Sequence, residues 1–555
     1  MPIDFYVDKN NYTDMLQSHA QESSLLNIDK NFQLGVQMHQ QGKLQQAKEI
    51  YAEILACDPN NSQAWHLSGV VALQYNDPLL AAKLIAMAIT LNPQEPAMYY
   101  NQALALERLG QYDEAITSYD KVILLKPDDV KAHINRGAVL KLIGKMDEAI
   151  ASYNKAIAIK PDSAEAYSNR GNILAELQRW AEALESYSQA ISINPRYVQA
   201  HINYANTLLS LQRLDDAILS YENALKYQPD NPSANWNLAH TLLLKGDFAR
   251  GWDLYEWRWE YGDNVKHKRN FKVPVWQGLE SIKGKKIFLY AEQGLGDTIQ
   301  FVRYVKLVKQ LGATVLLEVP KTLIKLLESN EDVDALLETG QALPEFDLQS
   351  PLISLPKVFG TNLNSIPCAK AYLRADKDKA CYWQERLGYR SRLKVGVVWS
   401  GGFRPEQTEG WAKIARRNIP LDIFAMGLNS VNADFFSLQK GDPGESEIRN
   451  RENQYWPKGN FYNYADELSD FTDTAALIEN LDLVLSVDTS TAHLAAAMGK
   501  PTWLLNRYDT CWRWLLDRDY SPWYDAVKLY RQSEDRHWEG VLSRVADDLN
   551  ELSIH

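Results

Sequence analysis

The stretch PDSAEAYSNRGNILAELQRWAEALESYSQAISIN, residues 161–194, carries the pattern that decides the fold of the first half of the chain. The same kinds of residue recur at the same offsets 34 residues before and after it. Proline marks the period most plainly, at Pro59, Pro93, Pro127, Pro161, Pro195 and Pro229. A period of this length is typical of a helical hairpin repeated along a chain. The sequence therefore predicts an array of stacked helical hairpins.

Three further position types keep the same period. Small residues allow two helices to approach closely, an aromatic side chain fills the space between hairpins, and proline ends one hairpin before the next helix begins. The three series are Gly35, Gly69, Ala103, Gly137, Gly171, Ala205, Ala239; Ala47, Ala81, Ala115, Ala149, Ala183, Ala217, Gly251; and Tyr51, Ile85, Tyr119, Tyr153, Tyr187, Tyr221, Tyr255. The pattern resembles the tetratricopeptide repeat, which implies an α-solenoid, a right-handed superhelix with a concave face. Six full repeats cover 28–231, and a partial seventh ends near Tyr261.

Asparagine recurs at a fifth position, on the first predicted helix of each hairpin. The series comprises Asn101, Asn135, Asn169, Asn203 and Asn237. A carboxamide can donate to and accept from a peptide backbone whatever the peptide's side chains are. In O-GlcNAc transferases, whose overall layout this chain resembles, such a ladder holds the acceptor chain. The series therefore predicts that these asparagines bind a protein or peptide acceptor in the groove of the repeat array. The alternative is that each asparagine bonds only to the neighbouring turn.

After Gly284 the period changes to short apolar runs that alternate with helical segments. This alternation predicts parallel sheets with helices on both faces. Two Rossmann-like halves with a cleft between them form the glycosyltransferase B architecture, which is our expected fold for this part. The expected domains are a leader over 1–27, the repeat array over 28–262, a linker over 263–283, an acceptor-side half over 284–390, and a nucleotide-sugar-side half over 391–555 with a C-terminal helix.

The first chemical motif is Gly294-Leu295-Gly296-Asp297, which follows a predicted strand and opens a predicted helix of 297–311. Glycines allow a ligand to approach closely, so Gly294 and Gly296 are candidate donor-binding residues. Asp297 is a candidate general base at the edge of the sheet. The alternative is that Asp297 is the N-cap of the helix, in a capping box with Gln300.

A nicotinamide enzyme is a weaker alternative for this motif. Glu318 ends the second predicted strand, where an acid that binds ribose would lie. A dinucleotide fingerprint also needs a third glycine, and this chain has the large Ile299 there.

The second motif is SVDTSTAHLAAAMGKPTWLL, residues 486–505, where a predicted strand ends and a helix starts. Free N–H groups, hydroxyl groups and the helix dipole favour a diphosphate. The candidate donor-binding residues are Asp488, Thr489, Ser490, Thr491 and His493. The alternative is a well-capped helix with no ligand.

Two loops between these motifs supply further candidates. Arg416 and Arg417 precede a predicted helix, and arginine can hold phosphate in a bidentate manner; a solvated pair of arginines is the alternative. Gln439 and Lys440 end a predicted strand and are candidates for contacts to the base or ribose. We expect Arg417, Gln439 and Lys440 to bind the donor.

These motifs, in this order, resemble the heptosyltransferases of glycosyltransferase family 9 over about 284–545. The resemblance implies that Asp297 is the base, that Arg417 takes the place of a lysine that contacts the donor phosphate, and that Asp488, Thr489 and His493 bind the donor diphosphate and sugar. Ser490 stands where the family has glycine. The implied activity is inverting, metal-independent transfer of a sugar from a nucleotide-sugar, which is a substrate and not a cofactor.

Composition excludes several other classes of protein. The chain of 555 residues has 59 basic and 71 acidic residues, a net charge of −12, which argues against a nucleic-acid binder. Its four cysteines lie far apart and suggest neither a zinc site nor a disulfide framework. No apolar run approaches the roughly 20 residues of a membrane span, and the start has no secretory-signal pattern, so a cytoplasmic location is expected. The metal-binding pattern of Asp332-Val333-Asp334 is read as surface.

Two other functions stay open from the sequence alone. One is a repeat scaffold that carries a catalytically inactive transferase-like domain. The other is a transferase that acts on a glycan or lipid acceptor and uses its repeats only for localisation.

Overall fold

The computed structural model describes residues 28–367, 370–402, 416–449 and 451–553. The chain folds as two compact units, of which the first ends at Thr207 and the second begins at Leu208. None of the helices in the described ranges combines the length and the apolar character that crossing a bilayer demands.

The first unit consists of helices paired as hairpins. Each first helix packs on the second helix of its own repeat, and a Cβ built at Gly171 would lie 2.6 Å from Cε1 of Tyr187. The periodic small residue and the periodic aromatic residue are thus in direct contact. The helices are Ile28–Gln40 (α1), Leu44–Cys57 (α2), Ser62–Gln74 (α3), Pro78–Leu91 (α4), Pro96–Arg108 (α5), Tyr112–Leu125 (α6), Val130–Leu142 (α7), Met146–Ile159 (α8), Ala164–Glu176 (α9), Trp180–Ile193 (α10) and Val198–Ser210 (α11), the last of which crosses the boundary.

Side-chain caps start several of the first helices of the hairpins. The Asn61 carboxamide oxygen accepts from the Ala64 amide at 3.0 Å, and the Asp129 carboxylate accepts from the Ala132 amide at 3.0 Å. These caps satisfy amides that have no partner within the helix. The predicted tetratricopeptide repeat array is confirmed.

The second unit begins with the last helices of the array, Leu214–Tyr227 (α12), Pro232–Lys245 (α13) and Phe248–Tyr255 (α14). The two short 3₁₀ helices Glu256–Glu260 and Gly262–His267 follow. The aromatic side chains of α14 are buried among those of the α/β region: the Trp252 and Trp512 rings lie 5.2 Å apart, edge to face, and the Phe248 and Trp523 rings lie 5.9 Å apart. The last hairpin therefore shares a core with the sheets that follow it.

The first sheet contains four parallel strands in the order β3-β2-β1-β4. Ile287 of the central strand pairs with Val315 on one side and Leu348 on the other. The strands are Lys286–Tyr290 (β1), Thr314–Val319 (β2), Ala335–Glu338 (β3) and Leu348–Pro351 (β4), and the helices are Leu295–Phe301 (α15), Val305–Gln310 (α16), Lys321–Leu327 (α17), Leu355–Val358 (α18) and Lys377–Leu387 (α19).

The second sheet contains six parallel strands in the order β10-β9-β8-β5-β6-β7. The strands are Leu393–Val398 (β5), Ala433–Ser437 (β6), Phe461–Asn463 (β7), Leu483–Val487 (β8), Thr502–Asn506 (β9) and Val527–Arg531 (β10); the helices are Leu421–Leu428 (α20), Gly444–Ile448 (α21), Glu452–Tyr455 (α22), Phe471–Glu479 (α23), Ser490–Ala497 (α24) and Glu539–Leu552 (α25). The order reverses between β5 and β8, and ligands bind at such switch points in open parallel sheets. The prediction of an α/β region with parallel sheets after the helical repeats is confirmed.

Two local expectations are wrong. The helix predicted over 297–311 begins at Leu295 and is interrupted by a 3₁₀ turn at Val302–Tyr304. Asp297 is therefore the third residue of α15 and not its N-cap, which is Gly294. Within the segment expected to be a linker, Arg269 pairs with the fully buried Glu318.

Candidate functional site

A cleft of about 670 Å³ lies at the carboxyl ends of strands from both sheets. Five of the loops that line it directly follow a strand. They contribute Gly294 after β1, Ser400 after β5, Gln439 after β6, Asp488 after β8 and Arg507 after β9. The cleft therefore includes the switch point of the second sheet, between β5 and β8.

The two sequence motifs meet where helices α15 and α24 begin. A Cβ built at Gly296 would lie 2.9 Å from Cδ2 of His493 and 3.6 Å from Cα of Ser490. Only a residue without a side chain fits against the imidazole ring there. Gly296 thus has a packing reason to be glycine, in addition to its place on the wall of the cleft.

Asp297 lies on the wall of the cleft and both of its carboxylate oxygens are engaged. The Gly294 backbone amide donates to Oδ2 at 3.0 Å, which caps the start of α15. The Arg513 guanidinium donates to Oδ1. The side chain of Asp297 keeps 21 % of its surface exposed. Gln300, the expected partner in a capping box, instead accepts from Nε of Arg513 at 2.7 Å.

Asp488 and His493 form the second group of site residues. Nε2 of His493 lies 3.7 Å from Oδ1 of Asp488, and Nδ1 of His493 lies 2.9 Å from the Tyr524 hydroxyl. The imidazole ring is buried and stacks on the Trp514 ring at 5.3 Å. These contacts fix the orientation of the ring, so that His493 turns Nε2 toward the carboxylate.

The pKa of Asp488 is held below its ordinary value. Burial acts against ionisation, but the hydrogen bond and charge of His493, followed by the charges of Arg417 and Arg513, outweigh it. The carboxylate is thus ionised at neutral pH, beside two guanidinium groups.

The start of α24 carries the hydroxyl groups that the motif predicts. Thr489 is the N-cap, and its hydroxyl accepts from the Ala492 amide at 3.4 Å and lies 3.0 Å from the Ser486 hydroxyl. Ser490 and Thr491 are half-buried and line the cleft. The hydroxyl group of Thr489 therefore caps α24, and Thr489 lines the cleft together with Ser490 and Thr491.

The other predicted donor-binding side chains also reach the cleft. Arg417 lies flat against Gly401, where a Cβ would meet the guanidinium carbon at 2.7 Å. Gln439 is buried and bonds to Ser400 in both directions, accepting from its amide at 3.0 Å and donating to its carbonyl at 2.9 Å. Lys440 donates to the Ala465 carbonyl at 2.8 Å. Gln439 therefore joins the ends of β5 and β6 through its amide group.

The asparagine series is half-buried, and several members bond across repeats. Nδ2 of Asn101 lies 2.8 Å from Nε2 of His66, and Nδ2 of Asn135 donates to the Tyr100 hydroxyl at 2.9 Å. Within the described residues Asn169 makes no bond of this kind. The bonding partners of Asn101 and Asn135 lie 35 residues before them, and the residue 35 positions before Asn169 is the apolar Ile134. Nδ2 of Asn203 donates to Oδ1 of Asn172 at 2.7 Å, and Asn237 lies on α13, in the second unit.

Two other acids of the sequence analysis have partners within the protein. Glu318 is buried beneath Arg269 and is not available to a ribose. Asp334, from the DxD pattern, accepts from Lys309 and from the Val315 amide at 2.7 Å, so it fixes the start of β2. Within the described residues, no group of three or more His, Cys, Asp or Glu side chains is arranged to hold a metal ion.

The structure brings together in one cleft all of the predicted catalytic and donor-binding residues. Sequence reasoning missed Arg507, Arg513 and Tyr524. Arg507 directly follows β9, so its place at the carboxyl end of a strand was a usable signal. Arg513 lies in the aromatic stretch Cys511–Trp514, which resembles no phosphate-binding pattern. Tyr524 does not line the cleft itself and contacts His493, which does.

Family comparisons match both parts of the chain. Residues 439–510 match Glycosyltransferase family 9 (heptosyltransferase). Residues 106–144, 140–178 and 205–246 match the TPR repeat, and residues 164–197 and 40–96 match tetratricopeptide repeat families. The chain thus carries tetratricopeptide repeats in its N-terminal part and a glycosyltransferase family 9 domain in its C-terminal part.

Comparisons with individual proteins give more distant similarities. The chain is 26 % identical to Protein FlbA of Caulobacter vibrioides in an alignment 338 positions long, which covers 56 % of this chain. It spans about half of that curated relative, 54 % of its length. Among solved structures, MamA is 24 % identical with a TM-score of 0.28 over 29 % of this chain and 94 % of its own, and Pseudomonas aeruginosa PilF is 18 % identical with a TM-score of 0.34 over 38 % and 96 %.

Proposed function

We propose that this protein is an inverting, metal-independent glycosyltransferase of the B architecture, which moves a sugar from a nucleotide-sugar to a protein or peptide acceptor. One observation carries the proposal. Asp297 and the Asp488–His493 segment are almost 200 residues apart in sequence but line the same cleft, at the carboxyl ends of strands from two parallel sheets. The family 9 match over residues 439–510 supports the same reaction class.

In the proposed reaction the donor lies at the switch point of the second sheet. The start of α24 offers backbone amides and the hydroxyl groups of Ser490 and Thr491 to the diphosphate. Arg417 and Arg507 also line the cleft and add positive charge to it. These groups stabilise the charge that develops on the departing nucleoside diphosphate.

Asp297 is the proposed general base. Its carboxylate takes the proton of an acceptor hydroxyl, whose oxygen attacks the anomeric carbon opposite the leaving group. Replacement of Asp297 by Asn keeps the shape of the side chain and removes the base. We expect transfer to fall at least a hundredfold in this variant, while binding of nucleoside diphosphate is retained.

The test is a transfer assay with the full chain. Nucleoside diphosphates are first screened for binding, and the matching nucleotide-sugars are then supplied with proteins from a co-expression lysate, in which added sugar mass is read by mass spectrometry. Equal turnover of wild type and Asp297→Asn would remove the proposed base. Failure of UDP, ADP, GDP and CDP to bind would favour the inactive scaffold.

The acceptor part of the proposal assigns the asparagine series to an extended peptide. The bonds of Asn101 and Asn135 use Nδ2 as donor, so they do not involve the carboxamide oxygen. In the part of the chain that the structure describes, neither the oxygen nor the nitrogen of the Asn169 carboxamide forms a cross-repeat hydrogen bond. Replacing Asn135, Asn169 and Asn203 by Ala should lower glycosylation of a protein acceptor, whereas Asn60→Ala, at an exposed position, should not. Unchanged glycosylation in the triple variant would favour a glycan or lipid acceptor.

A further inference from the structure

Arg513 is a cation on the wall of a cleft that also holds the carboxylates of Asp297 and Asp488. It pairs with Asp297, and only 11 % of its side-chain surface is exposed. Its charge also acts on Asp488, together with that of Arg417. Arg513 therefore lies on the wall that carries the proposed base and also near the start of α24.

The guanidinium is held in place from three sides. Nε donates to Oε1 of Gln300 at 2.7 Å, and Nη1 lies 3.0 Å from the Cys511 sulfur. The Trp512 ring lies 4.3 Å from the guanidinium carbon, a cation–π contact. Because these three contacts do not involve Nη2, the guanidinium can stay in place at the cleft even if Nη2 exchanges Asp297 for another partner.

We propose that Arg513 binds the donor diphosphate and gives up its ion pair with Asp297 when the donor arrives. This inference rests on the proposed glycosyl transfer. A diphosphate carries more charge than one carboxylate and offers several oxygens, so it competes well for a guanidinium. The bonds of Nε to Gln300 and of Nη1 to Cys511 need not break, because Nη2 alone holds the carboxylate.

The exchange couples donor binding to the chemistry. While Arg513 holds Oδ1 and the Gly294 amide holds Oδ2, an acceptor hydroxyl must compete for the carboxylate of Asp297. Release of Oδ1 lets this carboxylate take the hydroxyl proton. The acceptor oxygen then forms a bond to the anomeric carbon, and the bond from that carbon to the phosphate oxygen breaks. The electron pair stays on the diphosphate, where Arg513 offsets the new charge.

Competition between Asp297 and the diphosphate has a measurable consequence. Removing the carboxylate releases Arg513 before any ligand binds, so the diphosphate no longer has to displace it. Asp297→Asn should therefore bind nucleoside diphosphate about three- to tenfold more tightly than wild type. Arg513→Gln should bind it at least tenfold more weakly, and Arg513→Lys should recover part of that loss.

The experiment is a double-mutant cycle read by calorimetry. UDP, ADP, GDP and CDP are titrated into the full chain, and the diphosphate that binds wild type best is then titrated into Asp297→Asn, Arg513→Gln and the double variant. The gain from Asp297→Asn should vanish when position 513 is Gln. Arg386→Gln, which breaks the 3.0 Å ion pair with Glu467 outside the cleft, is the matched control and should leave the affinity unchanged.

Two results would overturn the inference while leaving the glycosyltransferase proposal in place. One is equal affinity of wild type and Arg513→Gln for the diphosphate. The other is unchanged affinity in Asp297→Asn, which decides the matter even if Arg513→Gln does not fold. Absence of binding by wild type to all four diphosphates would instead contradict the proposed function itself.

Discussion

Gly296 and His493 show at the scale of single residues why the two motifs depend on each other. The imidazole of His493 lies where a side chain at position 296 would be, and Tyr524 and Trp514 hold the ring from the other sides. Neither motif reveals this contact in the sequence, because it joins residues almost 200 positions apart. The sequence predicts which residues line the site, and packing decides which of them touch.

Replacement of Gly296 by Ala should therefore destabilise the second unit. The added Cβ at 2.9 Å from Cδ2 of His493 forces the buried ring to move, at a cost of about 1–3 kcal/mol. Urea unfolding followed by circular dichroism measures this cost. Gly540→Ala is the control, because a Cβ there meets nothing within 4 Å. Equal loss of stability in both variants would show that the contact with His493 is not the cause.

At the scale of elements, the sequence predicted the apolar strands well and the polar ones poorly. Six apolar runs predict strands, and their ends agree with those of β1, β2, β5, β6, β8 and β9 to within a few residues. The runs are 285–292, 314–319, 393–401, 434–439, 481–488 and 501–506. β4 was missed because its sequence is LQSP, two polar residues and a proline, although all four residues are buried. β7 has only three residues and β3 is half-buried throughout. Burial by neighbouring elements, which a single sequence does not display, creates these strands.

The end of β1 leads into a buried network of charges. Arg258 is completely buried, and its guanidinium bonds to Glu256 at 2.7 Å, Glu292 at 3.1 Å and the Ser354 hydroxyl at 2.8 Å. Burial raises the pKa of Glu292 to about 7, and the charge of Arg258 opposes the rise. The network joins the 3₁₀ helix after the last hairpin to the loop that leads to Gly294.

The raised pKa of Glu292 predicts a pH dependence of stability. Between its ordinary pKa of 4.5 and about 7, the folded protein keeps a proton that the unfolded chain loses. The contribution of Glu292 to stability is thus fully present below pH 4.5 and is lost as the pH rises through 7. The free energy of unfolding of wild type, relative to Glu292→Gln, should fall over this window by at most about 1.4 kcal/mol per pH unit.

Urea unfolding at several pH values between 4.5 and 8 measures this difference. Glu345→Gln, at an exposed carboxylate, serves as the control and should give a profile parallel to that of wild type. Parallel profiles for wild type and Glu292→Gln would show that Glu292 does not titrate in this window.

At the scale of the whole molecule, the last repeat hairpin belongs with the α/β region in packing. The sequence placed the end of the array at residue 262, because the periodicity continues to that point. The second compact unit nevertheless begins at Leu208, and Phe248, Trp252 and Tyr255 are buried in the same core as Phe301 and Trp512. Sequence periodicity shows which helices are repeats, but it does not show which other elements those helices pack against.

The boundary of the compact unit at residue 208, and not the end of the periodicity, should decide which fragments of the chain fold cooperatively. A fragment that begins at residue 208 keeps the aromatic side chains of α14 against Trp512 and Trp523, so it should unfold in one cooperative transition. A fragment that begins at residue 284 lacks them and should aggregate or unfold without cooperativity. In the full chain, Trp252→Ala should destabilise the second unit by about 3–5 kcal/mol, and Trp180→Ala, in the first unit, should leave the second unit unchanged. Cooperative unfolding of the 284–555 fragment with the same midpoint as 208–555 would show that the last hairpin is not part of the folding core.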